Sequence, residues 1–341
     1  MAPINSSLSA IRFARKHHEV GYIYEGEVDD QWTGASAPHG GYVLAMIMKA
    51  AVQSQSEQSS GGYDQLVPVH ITAHFLNRST IGPIQFHIHI IRAGRNWSTI
   101  EVASFQNQRK NVVAQVLFQS RSTAQVSQNE PSTSRACEAS IKPMTLQSGH
   151  SVLCPLITHP TLTLQTPFAR AFKFSTQVQW SEDLAIKHKQ PMIQSATQPI
   201  EWAAWHEFLD KDSNVFDQPA LLCYLCDMFR NFAQLLPVED GKDHPSDQLW
   251  FPTLVYSVRF LTPPNPNEIQ EFSVRRTGLY FTSKFNEADG VHDAVVEVWT
   301  SPREDKLASD VGWRHKQRCL AVGTQLAATV PSLGSESRTK L

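Results

Sequence analysis

Apolar and polar positions alternate along this chain in the same order twice. The first series opens on an apolar helix candidate at 40–52 (GGYVLAMIMKAAV) and continues through strand-like runs at 70–76, 84–92 and 112–118. The second opens on an apolar helix candidate at 220–236, followed by runs at 253–261, 272–280 and 293–300. Within 84–92, Phe86, Ile88 and Ile90 fall on one face and His87 and His89 on the other, the period-2 pattern of a half-buried strand. The pattern predicts an α+β architecture of two pseudo-symmetric halves, each a long helix followed by an antiparallel sheet. The second helix candidate is apolar nearly all round (Leu221, Leu222, Tyr224, Leu225, Met228, Phe229, Phe232, Leu235), which predicts burial against its own sheet. Asp217 stands where an N-cap belongs and Pro219 in the first turn. The halves differ in one respect: only the second helix candidate carries a carboxylate, Asp227.

Where the periodicity lapses, boundaries follow. A lead-in segment with a strand expected at 20–28 precedes the first helix. Ser, Thr, Gln and Pro dominate from 120 to 166, the composition of a surface linker. The expected division is a first domain at 1–119, a linker at 120–166, a second domain at 167–325 and a flexible tail at 326–341. Within the second domain, 170–180 is a further strand candidate.

Composition narrows the classes of function. With 341 residues, 41% hydrophobic content and a formal net charge of −2, the chain has an ordinary globular make-up. It offers no electrostatic reason to bind nucleic acid or an acidic membrane surface. No apolar run reaches the roughly 18–20 residues of a bilayer-spanning helix, so membrane insertion is not expected. The N-terminal stretch lacks a secretory apolar core. Five cysteines without regular spacing argue for a reducing compartment rather than a disulfide framework. The chain ends Thr339-Lys340-Leu341, one residue from the Ser-Lys-Leu peroxisomal address, so the expected location is cytoplasmic or peroxisomal.

Candidate chemistry centres on Asp227. An ionised carboxylate amid apolar residues costs several kcal/mol unless polar groups surround it or its pKa rises. Either outcome suits a general base that activates water, and a structural ion pair with Arg230 is the plainer alternative. Gly40 and Gly41 at the start of the first helix permit another backbone or a ligand to come close. His39 beside them can act at a substrate carbonyl or simply cap the helix. Cys223 and Cys226 form a CxxC inside a helix with no second pair, which reads as core rather than zinc or redox chemistry. His87 and His89 share a strand face but alternate with apolar residues, so no metal is expected there. No Gly-x-Ser-x-Gly elbow, P-loop or Gly-x-Gly-x-x-Gly fingerprint occurs.

The runs PVHITAHFL, Gly82-Pro83 and IRAGRNWSTIEVASFQN resemble the first half of double-hotdog acyl-CoA thioesterases, the acyl-CoA thioesterase II family and its wider superfamily. ALLCYLCDMF followed by PTLVYSVRFLTPP is similar to their second half. The likeness covers about 28–118 and 202–322 and is taken as that of a fungal-type member. It implies a double hotdog, two long helices each wrapped by an antiparallel sheet, with further pairing of chains compatible with that arrangement. It also implies hydrolysis of an acyl thioester, on coenzyme A or an acyl-carrier protein, by metal-free and cofactor-free water attack. In that family an Asp on the second-half helix, a Ser or Thr heading the next strand and a Gln on a late strand hold the water. The matching residues are Asp227, Thr253 and Gln317, the last displaced from the family pattern by the extra residues 310–316. His39, Gly40, Gly41, Met228 and Phe229 are the expected substrate-binding residues, with Cys223, Met228 and Phe229 as apolar tunnel lining. Two other classes remain open on the same fold: a dehydratase or hydratase using His and a carboxylate, and a non-hydrolytic acyl-binding or tailoring protein of secondary metabolism.

Overall fold

The computed structural model describes residues 3–18, 21–34, 37–58, 66–120, 153–166, 172–189, 200–235, 249–261, 266–286, 290–306, 308, 310 and 312–331. Most of the expected linker and the terminal Thr339-Lys340-Leu341 lie outside them.

Alternation dictates strands nearly everywhere it was found, and the strands outgrow their apolar cores. They are β1 (Arg12–His17), β2 (Gly21–Val28), β3 (Leu66–Phe75), β4 (Gly82–Ala93), β5 (Trp97–Gln106) and β6 (Arg109–Ser120) in the first half. The second half supplies β7 (Val178–Glu182), β8 (Ile200–Phe208), β9 (Leu249–Trp250), β10 (Thr253–Phe260), β11 (Phe272–Asn286), β12 (Val291–Pro302), β13 (Cys319–Ala328) and β14 (Val330–Pro331). Twelve of them form one sheet in the order β1-β2-β4-β5-β6-β3-β10-β13-β12-β11-β8-β7, while β9 and β14 pair separately.

The order reads alike from both ends toward a central seam between β3 and β10, and the irregularities repeat with it. The register shift between Pro68 and His70 of β3, opposite β6, recurs between Thr253 and Val255 of β10, opposite β13. The shift between Ser104 and Phe105 of β5 recurs between Val298 and Trp299 of β12. Bulges at matching places mean that the two halves share a ladder register as well as a strand order. At the seam itself Thr72 and Ser257 share a hydrogen bond of 2.9 Å.

The helices differ more than the sequence pattern predicts. The first-half helix, Gly40–Gln58, is 19 residues long, and its residues from Tyr42 to Met48 are all buried. The second-half helix, Pro219–Leu225, has only seven residues, so the expectation of two long helices is corrected. The apolar run does continue past Leu225, but Met228 and Phe232 reach the core from turns and a 3-10 segment rather than from helix. Periodicity alone cannot separate those cases. Pro219 opens the helix as expected, whereas the cap position belongs to Gln218, which makes no side-chain cap. Asp217 instead accepts a hydrogen bond from Asn214 at 2.7 Å.

The two helices pack on the concave inner face of the sheet with the main apolar core around them. The outer face of the second half carries Trp205, Trp299 and Trp313 under Cys154 and Leu156, from the last part of the expected linker. Residues 326–328 and Val330–Pro331, expected in the tail, belong to β13 and β14.

Candidate active site

The site is built where the chain leaves the second-half helix. Cys226 closes that helix and the Asp227 N–H turns back to the Tyr224 carbonyl at 3.1 Å, so Asp227 lies just beyond the helix rather than in its middle. Its carboxylate meets the N-terminus of the first-half helix. There the Gly41 N–H, which has no acceptor within its own helix, donates to Asp227 Oδ2 at 2.5 Å. Asp227 Oδ1 accepts from Gln325 Nε2 at 2.6 Å, and Gln325 Oε1 in turn accepts from Thr253 Oγ1 at 3.4 Å. Those two bonds assign the Gln325 amide, nitrogen toward the carboxylate and oxygen toward the hydroxyl. His39 Nδ1 stands 3.4 Å from Asp227 Oδ2 without hydrogen-bond geometry.

Two glycines permit this approach. A Cβ on Gly41 would lie 2.6 Å from the Asp227 Cβ and 2.9 Å from the Tyr224 carbonyl oxygen. A Cβ on Gly323 of β13 would lie 2.6 Å from the Cys226 Cβ. Cys226 and Asp227 are therefore gripped between one half's helix and the other half's sheet, which fixes the carboxylate's direction. Thr253 sits at the bulge in the pairing of β10 with β13, a place where strands re-aim a side chain.

These groups wall a cavity of about 500 Å³. Val43, Phe75, Phe229 and Phe251 supply apolar surface, and Leu76, Trp250 and Leu254 are its exposed members. Burial, reinforced by the Asp227 charge, pushes the Tyr224 and Tyr256 hydroxyls and the Cys226 thiol well above their ordinary pKa values. These groups stay protonated near neutral pH, so Cys226 offers no thiolate. The chemistry on offer is a carboxylate held by two donors beside an apolar chamber, with water as the nucleophile it can activate.

Of the residues expected from sequence, the structure brings together Asp227, Thr253, His39, Gly40 and Gly41. Phe229 lines the cavity, stacked on Phe281 at 4.5 Å. Met228 and Cys223 do not line it; both are buried in the core. Gln317 is the clear correction. It follows the short helix Trp313–Lys316, where its Oε1 accepts from Thr300 Oγ1 at 2.8 Å and its Nε2 donates to the Trp313 carbonyl at 2.9 Å. Both ends of its amide are spent on holding that turn to β12, and the place beside Asp227 belongs to Gln325. The signal for Gln325 was present in the sequence: along β13 it takes an inward position between Gly323 and Ala327, a polar residue in the buried register of a strand. Among the described residues no group of three or more His, Cys, Asp or Glu side chains is placed to hold a metal ion. Likewise no described helix is long and apolar enough to cross a membrane.

With the geometry established, known proteins can be set beside it. Residues 28–119 match the acyl-CoA thioesterase N-terminal domain, a hydrolase domain. No curated protein sequence matches the chain. Among solved structures, a protein assigned as a thioesterase II from Thermobifida fusca superposes with a TM-score of 0.63 at 16% identity, covering 96% of this chain and 99% of that one. A hot dog fold protein of unknown function from Alicyclobacillus acidocaldarius gives 0.62 at 17% identity, covering 98% and 100%. The acyl-CoA thioesterase II of Mycobacterium marinum gives 0.57 at 15% identity, covering 96% and 98%. These three are bacterial, and nothing in them supports a fungal type. At such identities the likeness is one of fold: the chain has a hotdog-type fold, and residues 28–119 are similar to a thioesterase N-terminal domain.

Proposed function

We propose that the chain is a double hotdog that hydrolyses an acyl thioester, carried on coenzyme A or an acyl-carrier protein, by direct attack of a water held by Asp227, Thr253 and Gln325. The two hotdog units would be the halves ending near residue 119 and beginning near residue 167. The observation that carries this reading is the Asp227 carboxylate, fixed by the Gly41 N–H on one oxygen and the Gln325 amide on the other at the wall of an apolar cavity.

In this reading Asp227 takes the proton of the attacking water as the oxygen bonds to the thioester carbon. Thr253 holds the Gln325 carbonyl, and Gln325 holds the carboxylate, so the three act as one relay of fixed orientation. Collapse of the tetrahedral adduct expels the thiolate, which leaves as the free thiol once protonated. The negative oxygen of that adduct needs a donor. The Gly41 N–H is already committed to Asp227, which leaves the Gly40 N–H, one residue earlier on the same helix end and at the cavity wall. His39, which lines the cavity beside Asp227, would bind the substrate carbonyl.

The experiment is free-thiol release from a panel of acyl-CoA and acyl-carrier-protein thioesters, wild type against Asp227→Asn. Release by the wild type and its loss in the variant, with circular dichroism unchanged, is the expected result. Full turnover in the variant would move the chemistry away from Asp227.

A further inference from the structure

The cavity floor is not uniformly apolar. His292 on β12 is 2% exposed and faces the cavity together with Asn231, from the turn that follows Asp227. Its ring packs against Phe232 at 4.6 Å and Phe251 at 5.8 Å. Burial pushes its pKa down to about 4, so the ring is neutral under ordinary conditions.

The hydrogen bonds around this pair assign every atom but one. The Ala233 N–H donates to Asn231 Oδ1 at 3.1 Å, which turns the amide nitrogen toward His292. Asn231 Nδ2 lies 3.5 Å from His292 Nε2, and His292 Nδ1 lies 3.3 Å from Thr329 Oγ1. An amide nitrogen only donates, so Nε2 is the acceptor and the ring proton sits on Nδ1, donating to Thr329. An amide nitrogen has two hydrogens, and His292 takes one. The second Asn231 N–H meets no acceptor among the described residues, at a position lining the cavity.

The place of the pair along the ladder decides what it would meet. Ala294 pairs with Gln325 and His292 with Ala327, so His292 lies two residues further along the strands, about 7 Å away. The exposed rim is made of Leu76, Trp250 and Leu254, at 55%, 44% and 38% exposure, where a bulky carrier has room. The buried His292 floor is the region left for the acyl end.

We propose that the Asn231 amide N–H, aimed by His292, recognises a hydrogen-bond acceptor partway along the acyl chain, so that the preferred substrate is an oxygenated acyl thioester (hydroxy- or oxo-substituted) rather than a plain hydrocarbon one. This rests on the thioester reading of the same site. Asn231 is the contacting residue, and His292 is a positioning residue that acts through it.

The test uses pairs of acyl-CoAs of equal length, one plain and one with a hydroxyl moved stepwise along the chain, and reads the ratio of their kcat/KM values. The expected wild-type ratio is tenfold or more in favour of one hydroxylated isomer. Asn231→Asp, which keeps the Ala233 cap but removes the donor, and His292→Phe, which keeps the ring packing, should each bring the ratio near one. His292→Gln, which can still accept from Asn231, should restore part of it. A wild-type ratio near one, or variants that lower both substrates equally, as a contact with the carrier's own amides would give, overturns the proposal while leaving thioester hydrolysis intact. Binding of non-hydrolysable thioether analogues of the same pairs, followed by calorimetry, separates the two readings. A preference for the hydroxylated analogue lost in Asn231→Asp supports the floor contact even without turnover. Equal affinities overturn it.

Discussion

The first half of this chain keeps a 19-residue helix whose one carboxylate, Glu57, stands in its last turn and accepts from Tyr24, and the second keeps a seven-residue helix with Asp227 just beyond its end. Carried through the shared register, Thr253 takes the place of Pro68 and Gln325 the place of Val116. The polar pair of one half is an apolar pair in the other. What the first half contributes instead is the end of its helix: the Gly41 N–H that holds Asp227 and the close approach that a Cβ would forbid. The comparison teaches that a shared register can carry different side chains at matching places. In the proposed reading the halves share one site, with the carboxylate from the second and the backbone donor that holds it from the first.

The change that breaks this division most completely is Asp227→Asn, for which kcat for thiol release should fall by about 10²–10⁴-fold. Gln325→Ala comes next. It frees the carboxylate to rotate, and a loss of about 10²-fold in kcat is expected. Gln317→Ala is its contrast and sharpens the comparison within the second half. That change removes two buried hydrogen bonds far from Asp227, so kcat should stay near the wild-type value while chemical denaturation reports about 1–3 kcal/mol less stability. Equal losses of activity in both glutamine variants would undo the assignment of Gln325.

Gly41→Ala tests the first half's share. The added methyl meets the Asp227 side chain and the Tyr224 carbonyl, so about 1–3 kcal/mol of stability should be lost in denaturation despite alanine's better helix propensity. Activity should fall with it, because the carboxylate must move to make room.

The smallest effect concerns pH. His206 and His292, both in the second half, are buried, and burial lowers their pKa values to about 3 and about 4. The unfolded chain takes up these protons as pH falls through about 6.5, and the native chain does not until the lowered values are reached. Stability is therefore fully present above about 6.5 and declines toward acid, by up to about 1.4 kcal/mol per pH unit for each residue. His206→Phe should reduce the loss between pH 7 and pH 4.5 by about 2 kcal/mol in urea titrations.

Much of this was legible in the chain itself. Alternation gave the strands because a half-buried strand imposes period 2 on its residues, as at Phe86, Ile88 and Ile90. Asp227 was legible as a carboxylate in an apolar run, and Gly40-Gly41 as a place of close approach. The second helix was overextended because Met228, Phe229 and Phe232 continue an apolar pattern that a buried turn satisfies equally well. The family likeness points to Gln317 despite its displaced spacing, whereas strand register, which says which face a residue takes, points to Gln325. The joining of Gly41 to Asp227 is a tertiary fact that no local pattern encodes.

The seam between β3 and β10 has a consequence for how the molecule forms. Thr72 and Ser257, hydrogen-bonded across it, lie 185 residues apart in sequence, so this pairing carries a large loop-closure cost and belongs late in folding. Until it closes, each half presents a bare strand edge, β3 or β10, of the kind that recruits other chains into aggregates. The two halves are thus obligate partners during synthesis: the first must wait, edge exposed, for the second to emerge. Expression yield, more than catalytic rate, is where a weakened seam would register first.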